Sequence, residues 1–325
     1  MTFKTINWGI IGAGNIAHKF ATDLNSIENT KLYAIASRSL DKAEQFAKHY
    51  NANKAYGDYE RLALDPNIDA IYIATPHSFH KTHTLLCLKH HKPVLCEKPF
   101  AMNLEDVEAM IQLSKQKNTL LMEALWTAFL PHFQYVQDLI KNKHFGNVKS
   151  LEADFGFFPP YDESSRLFDK SVGGGSLLDI GIYPVFVALT MLGQPNTIEA
   201  NAEFFLTGAD SECSIVFQYD NSKALLKSTL LKETKTEAIF KCDTGTIRIN
   251  GRFHEPATVT LIDNYGNSEL KTFDYNTIGY SYEIEHFNQL IRTGKTESNI
   301  MTLEKSRQLI STLDQIRTLI GLKYA

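Results

Sequence analysis

The sequence is sparing in the residues that staple or anchor unusual folds. Its four cysteines, Cys87, Cys96, Cys213 and Cys242, lie far apart with no C-x-x-C pairing. They predict neither a disulfide framework nor a structural zinc site, and read as reduced, mostly buried thiols of a cytosolic protein. An excess of either charge is missing too: 33 Lys and Arg stand against 37 Asp and Glu, a net charge of −4. That balance leaves no electrostatic footprint for nucleic acid or an anionic membrane. No apolar run approaches the roughly 20 residues of a membrane helix. A secretion signal is not expected, because the apolar stretch after Lys4 breaks at Gly12 and Gly14 and carries no small-residue cleavage site. Internal repeats and low-complexity linkers are absent. What remains is an ordinary globular composition, 43% hydrophobic and 11% aromatic over 325 residues, enough for about two domains with cores that need no staple.

Across the first 120 or so residues short apolar runs alternate with amphipathic segments. Residues 6–11, 32–36, 70–74, 93–96 and 120–123 read as strands. Between them lie helices. One starts at Asn15 and repeats Ile16, Phe20, Leu24 and Ile27 at helical spacing; another is capped by Ser39 and buries Ala43, Phe46, Ala47 and Tyr50. A third runs near 79–89, and a fourth is capped by Asn103 with Glu105 and Asp106 suited to its dipole. This alternation implies a parallel sheet covered on both faces. Beyond residue 125 the rhythm changes. After a helix from Pro131 come strand-length runs at 148–157, 198–205, 212–219, 224–231, 237–240, 246–249, 258–262 and 270–273, separated by Gly, Asn and Asp turns. One helical insertion at 176–192 interrupts them, and the last 45 or so residues return to helix.

Gly12-x-Gly14-x-x-Ala17 follows the first strand and opens the first helix. Gly12 permits the tight turn, Gly14 removes a side chain that would block a pyrophosphate, and Ala17 lets helix and strand pack closely. Phosphate would then meet free amides at the positive helix end, with Asn15 and Ile16 in that first turn. The second strand decides the cofactor. An NAD site places Asp or Glu about 20 residues on, whereas this strand ends in Ser37-Arg38, with Lys42 one helical turn later. Arg38 and Lys42 can clamp a 2′-phosphate, and Asp41 fits as a first-turn helix acid, so NADP(H) is expected over NAD(H). A solvated Arg and a surface Lys are the bland alternative. The expected fold class is α/β: an N-terminal Rossmann dinucleotide-binding domain over 1–122 plus a C-terminal α+β domain over 123–325. The second domain carries a large, mostly antiparallel open sheet, and its helices at 281–325 pack back towards the first.

Thr75-Pro76 ends one strand and Glu97-Lys98-Pro99 the next, at the edge where open α/β sheets bind ligands. There Lys98 lies where a nicotinamide would, and burial can bring an ammonium towards a usable acid–base range. A loop turn with a surface ion pair is the alternative. Asp179 and Tyr183 are i and i+4, so on a helix they share a face. Gly181 between them lets backbone approach a substrate, and Pro184 predicts a kink or local opening. A buried Tyr bonded to a structural Asp is the alternative there. His77, His80 and His83 drift around a helix and lack a partner carboxylate or Cys cluster, so no metal is expected.

The glycine turn, Thr75-Pro76 with His80, and Glu97-Lys98-Pro99 resemble, in order and spacing, the glucose–fructose oxidoreductase/inositol dehydrogenase (Gfo/Idh/MocA) family. The segments from Glu123 to Phe129 and from Gly173 to Tyr183 resemble its dimeric dihydrodiol dehydrogenase branch. That resemblance implies NADP-linked oxidation of trans-dihydrodiols or aldopyranoses, with Lys98 and Tyr183 as acid–base pair and Asp179 orienting the substrate or tuning the pair. It also implies a cofactor set of Gly12, Gly14, Asn15, Ile16, Ser37, Arg38, Lys42, Thr75, Pro76, His80, Glu97 and Lys98. Trp126, Phe155 and Tyr183 are the expected substrate residues, Trp126 and Phe129 offering ring faces; the remaining histidines read as polar surface. A cytoplasmic homodimer joined through the C-terminal sheet is implied likewise, with a small-molecule sugar, polyol or dihydrodiol as partner. Ala128 departs from the branch, which often has Arg there, and Pro184 directly follows the tyrosine. Two other functions stay open. One is a non-catalytic NADP-binding sensor, which has no need of a proton donor. The other is a reductase of a sugar-derived ketone or a biliverdin-like substrate.

Overall fold

The structure, a computed structural model, describes residues 4–324. The chain divides into two units, one comprising Met1–Trp126 and Asn276–Ile310, the other Thr127–Tyr275 and Ser311–Ala325. In the first unit the chain runs β1 (Ile6–Ile11), α1 (Asn15–Leu24), β2 (Thr30–Ala36), α2 (Leu40–Tyr50), β3 (Lys54–Tyr56), α3 (Tyr59–Leu64), β4 (Ala70–Ile73), α4 (His80–Lys89), β5 (Val94–Glu97), α5 (Leu104–Lys117) and β6 (Leu121–Ala124). Its strands pair in parallel in the order β3-β2-β1-β4-β5-β6. Every residue of β4, β5 and β6 is buried, which is why these strands read as continuous apolar runs rather than alternating ones. The order reverses between β1 and β4, so the crevice beyond their carboxyl ends is the ligand-binding edge. Ser39 Oγ accepts from the Lys42 amide at 3.3 Å and Asn103 Oδ1 from the Asp106 amide at 2.9 Å, as the caps predicted. Tyr50, assigned to the inner face of α2, is instead half-buried, its hydroxyl donating to the His18 carbonyl.

The second unit contains α6 (Pro131–Lys141), β7 (Val148–Gly156), α7 (Ile182–Leu192), β8 (Thr197–Phe204), β9 (Asp210–Gln218), β10 (Lys223–Thr229), β11 (Ala238–Cys242), β12 (Gly245–Ile249), β13 (Val259–Asp263) and β14 (Ser268–Lys271). They form one sheet in the order β14-β13-β12-β11-β7-β10-β9-β8, antiparallel except where β7 meets β10. Alternating burial along β9 and β10 leaves one face covered and the other partly open. The strand expected at 270–273 lies two residues earlier and is exposed throughout. The segment Lys170–Leu192 is long and apolar enough to cross a membrane, contrary to the expectation that no run approaches it, yet 78% of its most apolar window is buried inside the protein. Its α7 part is a core helix of this unit. Cys87, Cys96 and Cys213 are buried and Cys242 half-buried, all as free thiols.

At Asn276 the chain returns to the first unit with α8 (Tyr280–Arg292), and α9 (Leu303–Leu319) crosses from one unit into the other. Trp8 Nε1 donates to Asn288 Oδ1 at 3.0 Å, and its ring meets Phe20 and Phe287 edge-on or tilted at 5.5 and 5.2 Å. The buried Asp23 carboxylate accepts the amides of Ile278, Gly279 and Ser281 at 3.3, 3.0 and 3.1 Å, satisfying the N-terminal donors of α8. Asp23→Ala removes the carboxylate acceptor of these amides, leaving Gly279 only its bond to Thr277 Oγ1, and a loss of about 1.5–3 kcal/mol in urea-unfolding stability is expected. A loss under about 0.5 kcal/mol would contradict this anchor.

Candidate active site

Three helices of the first unit, α2, α3 and α5, carry side-chain caps from Ser39, Asp58 and Asn103. By contrast α1 begins at Gly14 with no side-chain cap and no acid in its first turn. Its first amides are therefore free for an anion, and the macrodipole favours one there. Gly12 adopts φ +102° and runs so close to β4 that a Cβ would lie 2.7 Å from the Ala74 carbonyl oxygen, a position only glycine fits. Gly14 opens onto free space, with nothing within 4 Å of its Cβ position, and Asn15 and Ile16 continue the open turn while Ala17 is fully buried. These residues fit a dinucleotide pyrophosphate.

Ser37 is buried at the end of β2, while Arg38 and Lys42 are exposed. Burial pushes the imidazole of His83, on α4, down to about 4, and the Arg38 cation adds to the effect. His83 Nδ1 is 3.1 Å from Thr75 Oγ1, and its ring packs against Tyr59 and Phe79. His77 and His83 are buried, not polar surface as expected. The inner side of α4 is built from His80, His83, Thr84, Cys87 and Leu88, so polar residues occupy positions where apolar periodicity would have announced burial. Among the described residues no group of three or more His, Cys, Asp or Glu could hold a metal ion.

The fully buried His80 ring has Nε2 2.8 Å from the Thr75 carbonyl and Nδ1 2.8 Å from that of Pro99. Burial pushes this imidazole down to about 4 despite the two carbonyls, and Lys98 opposes a second cation. The ring thus lies between the Thr75-Pro76 loop and the Glu97-Lys98-Pro99 loop, whose Lys98–Pro99 peptide is cis, and while neutral its single N–H donates to one of the two carbonyls. Lys98 is half-buried, and its amide donates to Glu97 Oε2 at 3.1 Å. The Tyr72 hydroxyl donates to Glu97 Oε1, and Tyr72 stacks on Phe20 with centroids 3.6 Å apart. Glu123 Oε1 accepts from the Phe100 amide at 2.9 Å, and burial raises its carboxyl to about 7. Trp126 stacks on Tyr280, centroids 4.4 Å apart at 16°. Tyr72 and Tyr280 escaped the sequence reading because their partners, Glu97 and Trp126, are distant in the chain.

In the second unit Asp179 sits on a π-helical turn, Leu177–Gly181, and Tyr183 on the first turn of α7. This widened turn comes just before Pro184, which cannot donate back to Ile180, so the expected opening takes the form of a π turn. Gly181 has a different reason from the one expected: a Cβ there would lie 2.8 Å from Ser228 Oγ, so its small size serves packing on β10. Upstream, Gly175 adopts φ +123° with its Cβ position 2.1 Å from Asp210 Oδ1. Asp210 Oδ2 accepts from Ser176 Oγ and the Leu177 amide, both at 2.7 Å, pinning the start of the turn. Asp179 pairs with the half-exposed Arg166 at 2.9 Å. The Tyr183 ring lies 5.8 Å from Phe155 and 4.9 Å from His254. Arg166 and His254 lie in connecting segments without a periodic signal and were not anticipated. Ala128, also buried, takes its place through its carbonyl, which accepts from Gln134 Nε2.

Residues 6–125 match the family described as oxidoreductase family, NAD-binding Rossmann fold, and residues 133–248 match the GFO/IDH/MocA C-terminal domain. The chain is 36% identical to trans-1,2-dihydrobenzene-1,2-diol dehydrogenase of Xenopus tropicalis over 98% of both chains. It is 32% identical to scyllo-inositol 2-dehydrogenase (NADP(+)) IolU of Bacillus subtilis (strain 168), again over 98% of each. Among solved structures, KijD10, a 3-ketoreductase from Actinomadura kijaniata in complex with NADP and TDP-benzene, superposes with a TM-score of 0.86 at 25% identity over 98% of both chains. Aldose-aldose oxidoreductase from Caulobacter crescentus shares the fold, with a TM-score of 0.90 at 20% identity over 98% of both. With its glycine turn, its Lys98 loop and its eight-stranded second sheet, the chain belongs to the Gfo/Idh/MocA oxidoreductase family.

Proposed function

We propose that this NADP-dependent dehydrogenase interconverts a secondary alcohol and a carbonyl on a sugar, cyclic polyol or trans-dihydrodiol. The observation that carries the reading is Lys98 at the carboxyl end of β5, two strands from the uncapped glycine turn after β1. Two strand spacings are roughly 10 Å, within the reach of a dinucleotide that starts at that turn. Support for the substrate class comes from relatives named as a dihydrodiol dehydrogenase and an inositol dehydrogenase, and for the cofactor from the NADP-bound 3-ketoreductase.

NADP, when bound, supplies the hydride acceptor or donor. The chain's own residues bind, orient and move the proton. The α1 amides at Gly14, Asn15 and Ile16 hold pyrophosphate, while Ser37, Arg38 and Lys42 hold the 2′-phosphate. Thr75, Pro76, His80 and Glu97 fix the loops along which the cofactor lies. Lys98 and Tyr183 form the acid–base pair for the carbinol hydroxyl. Asp179, held by Arg166, orients that hydroxyl, and Trp126 and Phe155 present ring faces to the substrate. The protein is read as a soluble cytoplasmic homodimer joined through the open face of the second sheet, where Leu225 is 38% exposed. A monomeric mass by sedimentation equilibrium at micromolar concentration would contradict that assembly.

Lys98→Met is expected to lower turnover by about 10²–10⁴ with NADPH affinity nearly unchanged, measured by steady-state kinetics and fluorescence titration; full turnover removes Lys98 from the mechanism. Arg38→Ala is expected to weaken NADPH binding much more than NADH binding. Equal losses would defeat the 2′-phosphate assignment.

A further inference from the structure

Two buried carboxyls straddle the turn that carries Lys98. Glu97 closes β5, and Glu123 lies in β6, where it pairs in register with Cys96. Side chains alternate along a strand, so residues paired in register share a face. Tyr72 pairs with Leu95 and so shares one face with Glu97, whose carboxylate it holds; Glu123 shares the other face with Cys96. From that face Glu123 Oε1 accepts from the Phe100 amide at 2.9 Å, and the Cys96 thiol donates to the Phe100 carbonyl at 3.8 Å. Phe100 is two residues past Lys98, so these bonds fix the exit of the turn.

The Phe100 amide accounts for one oxygen only. Glu123 Oε2 is buried and has no hydrogen-bond partner among the described residues. A neutral carboxamide would serve the amide equally well, and an apolar side chain would fill the space without burying an unpaired oxygen. What a glutamate alone adds is a charge. Burial raises the carboxyl to about 7; the Ser306 hydroxyl, the Phe100 amide and the Lys98 cation draw it down, and Glu97 pushes it up. The other groups on this side add little charge. Burial raises the Cys96 thiol well above its usual range, and it disfavours a charge on His80, which reaches the turn from α4 through the Pro99 carbonyl. On α9 Ser306 is uncharged, and Arg307 beside it is paired with Glu108 and Glu304. Lys98 is the cation that acts on Glu123, and by reciprocity the cation on which its charge acts.

We propose that Glu123 is a positioning residue for Lys98: it holds the turn through the Phe100 amide and, as a carboxylate, holds the proton on the Lys98 amine. This rests on the proposed proton role of Lys98 and deepens it. An anion near an ammonium favours the charged form. Glu123→Gln keeps an acceptor for the Phe100 amide and removes the charge, so the Lys98 amine then gives up its proton at lower pH. Glu123→Ala removes both the charge and the acceptor.

The test reads the Lys98 amine directly. The full chain without dinucleotide is labelled with trace acetic anhydride across a pH series, and acetylation of Lys98 is followed by mass spectrometry in wild type, Glu123→Gln and Glu123→Ala. Glu123→Gln is expected to move the labelling midpoint of Lys98 down by about 0.5 pH unit or more, with its thermal midpoint near that of the wild type. Glu123→Ala is expected to unfold at lower temperature, because the Phe100 amide loses its acceptor. An unmoved or raised Lys98 midpoint in folded Glu123→Gln overturns the proposal, and so does a Glu123→Ala as stable as the wild type. If Glu123→Ala does not fold, Glu123→Gln decides alone. For oxidation of trans-1,2-dihydrobenzene-1,2-diol with NADP, kcat/KM is expected to rise at correspondingly lower pH in Glu123→Gln. A labelling midpoint that moves while this kinetic limb stays in place removes Lys98 from the proton step and leaves the hold of Glu123 on the amine standing.

Discussion

The His80 imidazole spans two loops at the carboxyl edge of the parallel sheet, with one nitrogen 2.8 Å from the Thr75 carbonyl and the other 2.8 Å from that of Pro99. The β4–β5 ladder brings the two loops side by side, and this ring lies directly between them. On one side it fixes Thr75, which reaches His83 and through it the neighbourhood of Arg38. On the other it fixes the Glu97-Lys98-Pro99 turn, whose carboxylate is held by the Tyr72 hydroxyl and the Lys98 amide. Burial disfavours a charge on this ring beside Lys98, while the two carbonyls favour a proton on each nitrogen. The cofactor edge and the lysine proposed to handle the proton thereby share one support.

The second unit solves a comparable problem with different parts. A π turn, a triglycine approach and the buried Asp210 carboxylate fix the segment that carries Asp179 and Tyr183. Because Gly175 has no room for a Cβ and Ser176 and Leu177 both donate to one carboxylate oxygen, the helix starts at one defined place. Preorganisation of this kind is what a proton-transfer group requires, since small misplacements cost large factors in rate.

Much of this was legible in the sequence wherever a local rule governs. Gly12 and Gly14 announced their turn because backbone conformation and close approach leave no alternative, and Ser39 and Asn103 announced helix starts because free amides need an acceptor. Three kinds of feature stayed hidden. β3 and α3 are three and six residues long, too short for a periodicity to develop. α4 turns histidines and a threonine inward, so its buried face looks polar in sequence. The neighbours of the proposed site residues, namely Tyr72, Arg166, His254 and Tyr280, are brought in by tertiary packing that no local sequence rule announces. Gly181 shows the opposite error: its smallness was visible, but its reason, contact with Ser228 across the sheet, was not.

The central claim is direct hydride exchange between NADP(H) and a ring carbinol carbon while the protein handles only the proton. Turnover of a ring ketone with NADPH deuterated at C4, followed by mass spectrometry and NMR of the product, tests it most directly. The account predicts one deuterium on the carbinol carbon from one face of the labelled cofactor and none from solvent. Product without label on that carbon, or label lost to water, would contradict it.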